Sequence, residues 1–246
     1  SLVAQVMQGA GTPDLLLSGD DDPHHMALRP SQARAVARAD LVIWIGPALT
    51  PWLTPVLAQR SGPNMALTPD LVEGVDDPHL WLDPATALRW LPVIAETLAA
   101  SDPDNAALYH RNAATAAAGL TDLTLQVLAI LADHRAAGLI TAHDAWGHFA
   151  DAFGLQIVGA IRKDDHATPG AQHLSDLRAL VTSGAVACVL SEGPDTDDLV
   201  ATVIGDARVP ATSAHPLGPD VPTGADFYGT HMLGVAKSIA GCVSRS

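Results

Sequence analysis

Four histidines stand beside the ends of predicted strands, and the imidazole side chain can bind a metal ion directly. They are His24, His79, His143 and His215, out of eleven histidines in a chain of 246 residues. In α/β proteins ligand sites form at strand ends, because loops from different strands converge there. A single histidine in such a loop is more often a surface or capping residue than a ligand. The shared placement of all four is what predicts a metal site.

No short catalytic or metal-binding motif accompanies these histidines. The chain has no H-E-x-x-H, no paired C-x-x-C, no G-x-S-x-G and no phosphate-binding P-loop. A zinc hydrolase with three histidine ligands is the alternative to a pure binding site. Such an enzyme needs a general base near the metal, and Asp144 or Glu192 would have to serve.

The elements that must position the histidines are those of an α/β fold. Short apolar runs alternate with amphipathic stretches, which indicates parallel sheets connected by crossover helices. The predicted strands beside the histidines include Asp14–Leu17, His79–Leu82 and Leu139–Ala142. A different pattern runs from Asp102 to about His134, where apolar residues recur at helical spacing without a strand signal.

This mid-chain segment is predicted to be one long helix, and its place in the chain suggests that it joins two lobes. The alternative is a long helix in a single core. With the joining helix, the chain divides into an N-terminal α/β lobe at residues 1–101, a linking helix at 102–135 and a C-terminal α/β lobe at 136–246.

The charge of the chain limits the classes of partner. Lys and Arg total 13 and Asp and Glu total 27, which gives a net charge of −14. Nucleic acids and anionic membrane surfaces would repel such a protein, so neither is an expected partner, whereas cations would be attracted. No run reaches the ~18 apolar residues of a membrane helix, so no direct membrane insertion is expected.

The two cysteines, Cys188 and Cys242, fit no metal or redox motif. Their number alone leaves two interpretations equally open, a disulfide or two buried thiols. A bridge would close a long loop and stabilise the fold by roughly 4 kcal/mol in the chain-entropy model.

Several segments in the same order resemble the zinc-binding members of the metal-specific solute-binding proteins that serve ABC importers. Each segment is weak alone, but together they cover nearly the whole chain. The segments are Asp22-Pro23-His24-His25-Met26, Ala39-Asp40-Leu41-Val42, Asp77-Pro78-His79-Leu80-Trp81, Ala142-His143-Asp144-Ala145-Trp146, Pro169-Gly170-Ala171-Gln172 and His215-Pro216-Leu217-Gly218.

The resemblance implies two α/β lobes joined by one long helix, with the metal in the cleft between them. It implies His24, His79 and His143 as ligands and a disulfide between Cys188 and Cys242. It also implies a periplasmic monomer without enzymatic activity, which captures Zn2+ and delivers it to the membrane permease of an ABC importer. A signal peptide and a strand ahead of Ser1 are further expectations of this kind.

The chain departs from the family pattern at three informative places. His215 stands where the family usually has Asp before Pro-Leu-Gly, and we predict it as the fourth ligand, with water as the alternative. Only a short segment, 71–78, precedes the second ligand, where many zinc-specific relatives carry a long loop rich in histidine. Glu192 stands where the family often has an acidic residue; the alternatives are a side chain that contacts a metal ligand and a solvated side chain, and we prefer the solvated one.

The ligand types favour zinc over manganese. Zn2+ binds imidazole nitrogen readily in tetrahedral sites, whereas Mn2+ prefers oxygen ligands and higher coordination numbers. Manganese-type relatives usually have a carboxylate in place of His143 and an Asp in place of His215. Besides a hydrolase, the alternatives are a protein that binds Mn2+ or another divalent metal, and an adhesin that uses the metal only for its structure.

Overall fold

The computed structural model describes residues 1–245 except Ser18, Asp20, 72–75 and 164–166. By the density of contacts the chain forms two compact units. Unit 1 comprises Ser1–Trp81, Ala85–Leu120 and Pro222–Tyr228, and unit 2 comprises Leu82–Pro84, Thr121–Val221 and Gly229–Ser246. Both units combine helices with parallel strands, which confirms the predicted α/β class.

Unit 1 contains a short parallel sheet and the helices that cover it. Strands β1 (Val42–Trp44) and β2 (Asn64–Ala66) pair in parallel, with Ile43 opposite Met65. The apolar faces of the neighbouring helices meet in a cluster built on three buried residues, Val36, Leu53 and Leu57. Helices α1 (Leu2–Val6), α2 (Pro30–Arg38) and α3 (Thr54–Ala58) lie in this unit, together with α4 (Pro84–Ser101) except for its first residue.

Unit 2 is built on a four-stranded parallel sheet. Its strands are β3 (Gly138–His143), β4 (Gln156–Arg162), β5 (Cys188–Ser191) and β6 (Ala211–Ser213), arranged in the order β4-β3-β5-β6. Parallel pairing brings the carboxyl ends of all four strands to one edge of the sheet, where loops can present side chains to a ligand. The helices of this unit are α6 (Gly147–Phe153), α7 (Ala171–Thr182), α8 (Pro194–Ile204) and most of α9 (Phe227–Val243).

The predicted long helix is present as α5 (Ala106–Leu131), with a turn of 3-10 helix at each end. Of the apolar residues at helical spacing in this helix, Leu120, Leu123, Val127 and Leu131 are buried. By length and composition alone the stretch 103–134 would also pass as a membrane span, which is weak evidence because core helices pass the same test. Polar residues interrupt this stretch, so it contains no uninterrupted apolar run of the length of a membrane helix.

Two predicted strands are wrong. Asp14–Leu17 forms no strand, and the backbone carbonyl of Leu16 instead accepts a hydrogen bond from the side chain of Gln32. His79–Leu82 is not a strand either, since Leu80–Leu82 is a turn of 3-10 helix. The carboxylate of Asp77 takes the backbone N–H of His79, which offers the chain a local turn in place of a strand ladder.

The disulfide implied by the family resemblance is confirmed. Cys188, the first residue of β5, is bonded to Cys242 in α9, and both residues are fully buried. The bond therefore ties one central strand of the unit 2 sheet to the last helix of the chain.

A buried histidine fixes the loop after β6 against α9. The Nε2–H of His231 donates to the carbonyl of Pro216 at 3.1 Å. Gly218 lies against the same ring, where an added Cβ would come within 2.6 Å of Nδ1, and its φ of +58° also favours glycine. Burial lowers the pKa of His231 to about 4, against the opposing effect of its hydrogen bond to Pro216.

The low pKa of His231 predicts a loss of stability in acid. Unfolded histidine has a pKa of ~6.5, so below that pH the unfolded chain binds a proton that the folded chain rejects. The stability that depends on neutral His231 is fully present above pH 6.5. Protonation of this histidine in the unfolded chain lowers the free energy of unfolding by about 3 kcal/mol as the pH drops to 4. His231→Gln keeps an N–H donor but does not titrate. We therefore expect the free energy of unfolding of the metal-free variant, measured with urea, to fall less between pH 7 and 4 than that of the metal-free parent. Parallel pH profiles would contradict this assignment.

Candidate functional site

Unit 1 brings two of the predicted ligands, His24 and His79, together. Their Nε2 atoms lie 3.3 Å apart, and the ring planes meet edge to face at 62°. His79 is buried and His24 is half-buried. Two imidazoles that point their Nε2 atoms at each other form the kind of paired nitrogen arrangement that a metal ion can occupy.

The two histidines are held by the same four-residue sequence. Asp-Asp-Pro-His occurs at residues 21–24 and again at 76–79. In the first copy Asp22 Oδ1 accepts the backbone N–H of His24 at 2.7 Å, and in the second Asp77 Oδ1 accepts that of His79 at 2.9 Å. Aspartate favours such local turns, and the intervening proline fixes its own φ. The repeat therefore sets both histidine backbones in the same way.

The second copy also sets the imidazole ring of its histidine. Asp77 Oδ1 lies 2.7 Å from His79 Nδ1. A carboxylate at that distance takes an N–H, so Nδ1 carries the proton and Nε2 of His79 presents a lone pair. In the contact between the two rings it is then His24 Nε2 that donates. A metal ion would replace that proton between the two nitrogens.

In unit 2, His143 is held by a buried carboxylate. It is the last residue of β3, and its Nδ1 lies 2.6 Å from Glu192 Oε2. The indole N–H of Trp146 donates to the other oxygen of Glu192 at 3.4 Å. Both side chains of the His143–Glu192 pair are only 5% exposed, so the interpretation of Glu192 as a solvated side chain is wrong. As with His79, the carboxylate on Nδ1 leaves Nε2 to present the lone pair.

The sheet explains how Glu192 reaches His143 across 49 residues of sequence. β3 and β5 are neighbours, with Ile140 opposite Val189 and Thr141 opposite Leu190. Continuing that register places His143 and Glu192 in one row just beyond the paired residues. The sequence signal that could have identified Glu192 was therefore its position directly after β5.

His215 follows β6 in a tight turn. Its Nδ1 accepts the backbone N–H of Leu217 at 3.1 Å. In the neutral ring the proton then sits on Nε2, and neither nitrogen presents a lone pair without a change of tautomer or rotation of the ring. His215 therefore differs from His79 and His143, whose carboxylate partners hold the proton on Nδ1.

Comparison with known proteins gives a consistent result. A family model described as zinc-uptake complex component A, periplasmic (ZnuA), matches residues 1–242. The high-affinity zinc uptake system protein ZnuA of Paracoccus denitrificans is 30% identical over 293 aligned positions, covering 99% of this chain and 88% of that protein. The alignment is longer than the chain, so the relative carries internal segments that this chain lacks.

Solved structures share the fold over nearly the whole chain. A crystal structure of ZnuA superimposes with a TM-score of 0.82 at 25% identity, covering 98% of this chain and 94% of that one. A mutant of the laminin-binding adhesin Lmb from Streptococcus agalactiae gives a TM-score of 0.83 at 20% identity, with coverage of 98% and 95%.

The carboxylate of Asp77 contacts the ring of His79, and its negative charge should therefore support metal binding. Asp77→Asn keeps an oxygen that can accept from His79 but removes the negative charge beside the ring. Loss of such a carboxylate typically weakens metal binding 10- to 100-fold. We expect Asp77→Asn to weaken Zn2+ binding by about tenfold in a chelator competition titration.

Asp22→Asn is the matched control, because Asp22 occupies the same position in the first copy of the repeat and asparagine keeps an oxygen that can accept the backbone N–H of His24. It should change the affinity less than about threefold, on the order of 0.7 kcal/mol. Equal losses in the two variants would show that Asp77 acts only on the backbone turn.

Proposed function

The chain belongs to the ZnuA family, the periplasmic component A of zinc-uptake complexes, and we propose that it holds Zn2+ through His24, His79 and His143. Its function is the high-affinity capture of Zn2+ for an ABC-type importer. The observation that carries the proposed ligand set is the pairing of the His24 and His79 Nε2 atoms at 3.3 Å. No catalytic step is needed for this function.

The chemistry of these side chains favours zinc. Imidazole nitrogens suit the tetrahedral, four-coordinate sites of Zn2+, whereas Mn2+ and Mg2+ prefer oxygen. The carboxylates of Asp77 and Glu192 contact the far nitrogens of His79 and His143. Their negative charges offset the charge of a divalent ion bound by neutral imidazoles. They also hold the two rings in the tautomer that binds metal.

The same contacts argue against a hydrolase. A hydrolytic zinc site needs a carboxylate or another base that can accept a proton from a metal-bound water. Glu192 instead has one oxygen on His143 and the other on Trp146. Asp77 is likewise engaged by the ring and backbone of His79. Because Glu192 is engaged in this way and the family serves zinc uptake, we propose a carrier that binds and releases its ion unchanged.

We further propose that the chain works as a periplasmic monomer that passes its ion to the membrane permease of the importer. The disulfide between Cys188 and Cys242 supports export, because such bonds persist in oxidising compartments. All proposed ligands come from a single chain, so binding requires no second copy. The net charge of −14 favours the approach of cations.

Substitution of the ligands tests the proposal. His79→Ala and His143→Ala should each weaken Zn2+ binding at least about tenfold, or ~1.4 kcal/mol. His25→Ala is the control, because His25 lies next to His24 in the same loop but is exposed. Chelator competition gives the affinity, and native mass spectrometry of a Zn2+, Mn2+ and Cu2+ mixture gives the metal and its stoichiometry. Retention of parental affinity by either ligand variant would exclude that residue from the site.

His215 is proposed as the fourth ligand, and binding would require it to give up its contact with Leu217. Because that contact is lost on binding, His215→Ala should cost less affinity than His79→Ala, about three- to tenfold. Protons compete with metal for imidazole below its reference pKa of ~6.5, and for an aspartate only near ~3.9. His215→Asp should therefore make the fall in affinity between pH 7 and 5 shallower. If water fills the fourth position, His215→Ala will match the parent at every pH.

A further inference from the structure

We propose that Trp52 is a positioning residue for zinc binding, because its indole N–H fixes the peptide that carries His24. The indole Nε1 donates to the carbonyl of Pro23 at 2.8 Å, across 29 residues of sequence. This inference rests on the proposed role of His24 as a ligand. Trp52 would then contribute to the affinity for Zn2+ only by holding the loop that carries His24.

The loop that carries His24 is anchored at its two ends. Leu16 and Leu28 pack against the apolar cluster of unit 1. Gln32 in α2 joins the same two ends, since its Nε2 donates to the carbonyl of Leu16 and its Oε1 accepts the N–H of Arg29, both at 2.9 Å. Between these anchors the described residues form no helix or strand. The position of His24 must therefore be set by side chains that contact the loop between its ends.

Trp52 and Asp22 together hold one peptide unit. The carbonyl of Pro23 and the N–H of His24 belong to the same planar peptide group. Trp52 binds the carbonyl at 2.8 Å, and Asp22 binds the N–H at 2.7 Å. Both polar groups of that peptide are thus hydrogen-bonded to side chains. The pyrrolidine ring also restricts the φ angle of Pro23. These contacts fix the peptide plane and therefore the position of the His24 Cα, from which the imidazole side chain extends.

The anchor of this peptide is itself well supported. Trp52 lies in the 3-10 turn Pro51–Leu53 just before α3 and packs on the same cluster as Leu16 and Leu28. The apolar core of unit 1 thereby holds the tip of the loop as well as its ends. His24 is half-buried, so contacts with its backbone help to place it. A ligand held in place before the ion arrives binds more tightly, because less order has to be created on binding.

Trp52→Phe isolates the hydrogen bond, because phenylalanine keeps an aromatic ring in the cluster but has no N–H. We expect it to weaken Zn2+ binding five- to tenfold, mainly through faster dissociation in stopped-flow chelator experiments. Hydrogen exchange at residues 21–29 of the metal-free protein should become faster.

Trp44→Phe is the matched control. Trp44 belongs to the same cluster, and its buried indole nitrogen has no hydrogen-bond partner within the described part of the chain. It should change the affinity less than twofold. Equal effects of the two substitutions would overturn the inference.

A double-mutant cycle with His24→Ala separates the role of Trp52 from the proposed ligand role. If Trp52 acts through His24, Trp52→Phe will cause no further loss of affinity in the His24→Ala background. An equal loss in both backgrounds would mean that Trp52 supports the fold in general, and the inference would fail. Parental affinity in His24→Ala alone would instead refute His24 as a ligand, a different failure in the same experiment.

Discussion

The proposed zinc site depends on which nitrogen of each imidazole carries its proton. An imidazole can bind a metal only through an unprotonated nitrogen, so the proton must be kept on the other side of the ring. Asp77 does this for His79, and Glu192 does it for His143. The loops and the sheet serve this requirement, because they bring a carboxylate to within hydrogen-bond distance of Nδ1 in each case. A carboxylate misplaced by an ångström or two would leave the tautomer undetermined.

The two carboxylates reach their histidines by different routes, one local and one through the sheet. Asp77 precedes His79 by two residues, so a single turn is enough to join them. Glu192 depends on the pairing of β3 with β5, and so on the folding of the whole unit 2 sheet. The disulfide at Cys188 ties the start of that same strand to α9. The orientation of the His79 ring is thus a property of a short peptide, and that of the His143 ring is a property of a tertiary structure.

This difference explains what could be predicted from the sequence. The α/β class and the long helix followed from the spacing of apolar residues, and the disulfide followed from the family resemblance alone. Glu192 was misjudged, because its partner is 49 residues away and only the strand register brings the two together. The strand expected at His79–Leu82 was wrong for a local reason, since apolar alternation does not reveal that Asp77 captures a backbone N–H. Side chains that bind the backbone are invisible to patterns of hydrophobicity.

The repeated Asp-Asp-Pro-His sequence forms a local turn that contains its own stabilising contact. Each copy is four residues long, and its main contact, from aspartate to the backbone of the histidine, is internal to it. This contact travels with the sequence, whereas the anchors of the loop that carries it, such as Trp52, belong to the fold. Transplanted in pairs into surface loops of an unrelated scaffold, the four-residue sequence offers protein designers a compact starting point for building artificial zinc sites.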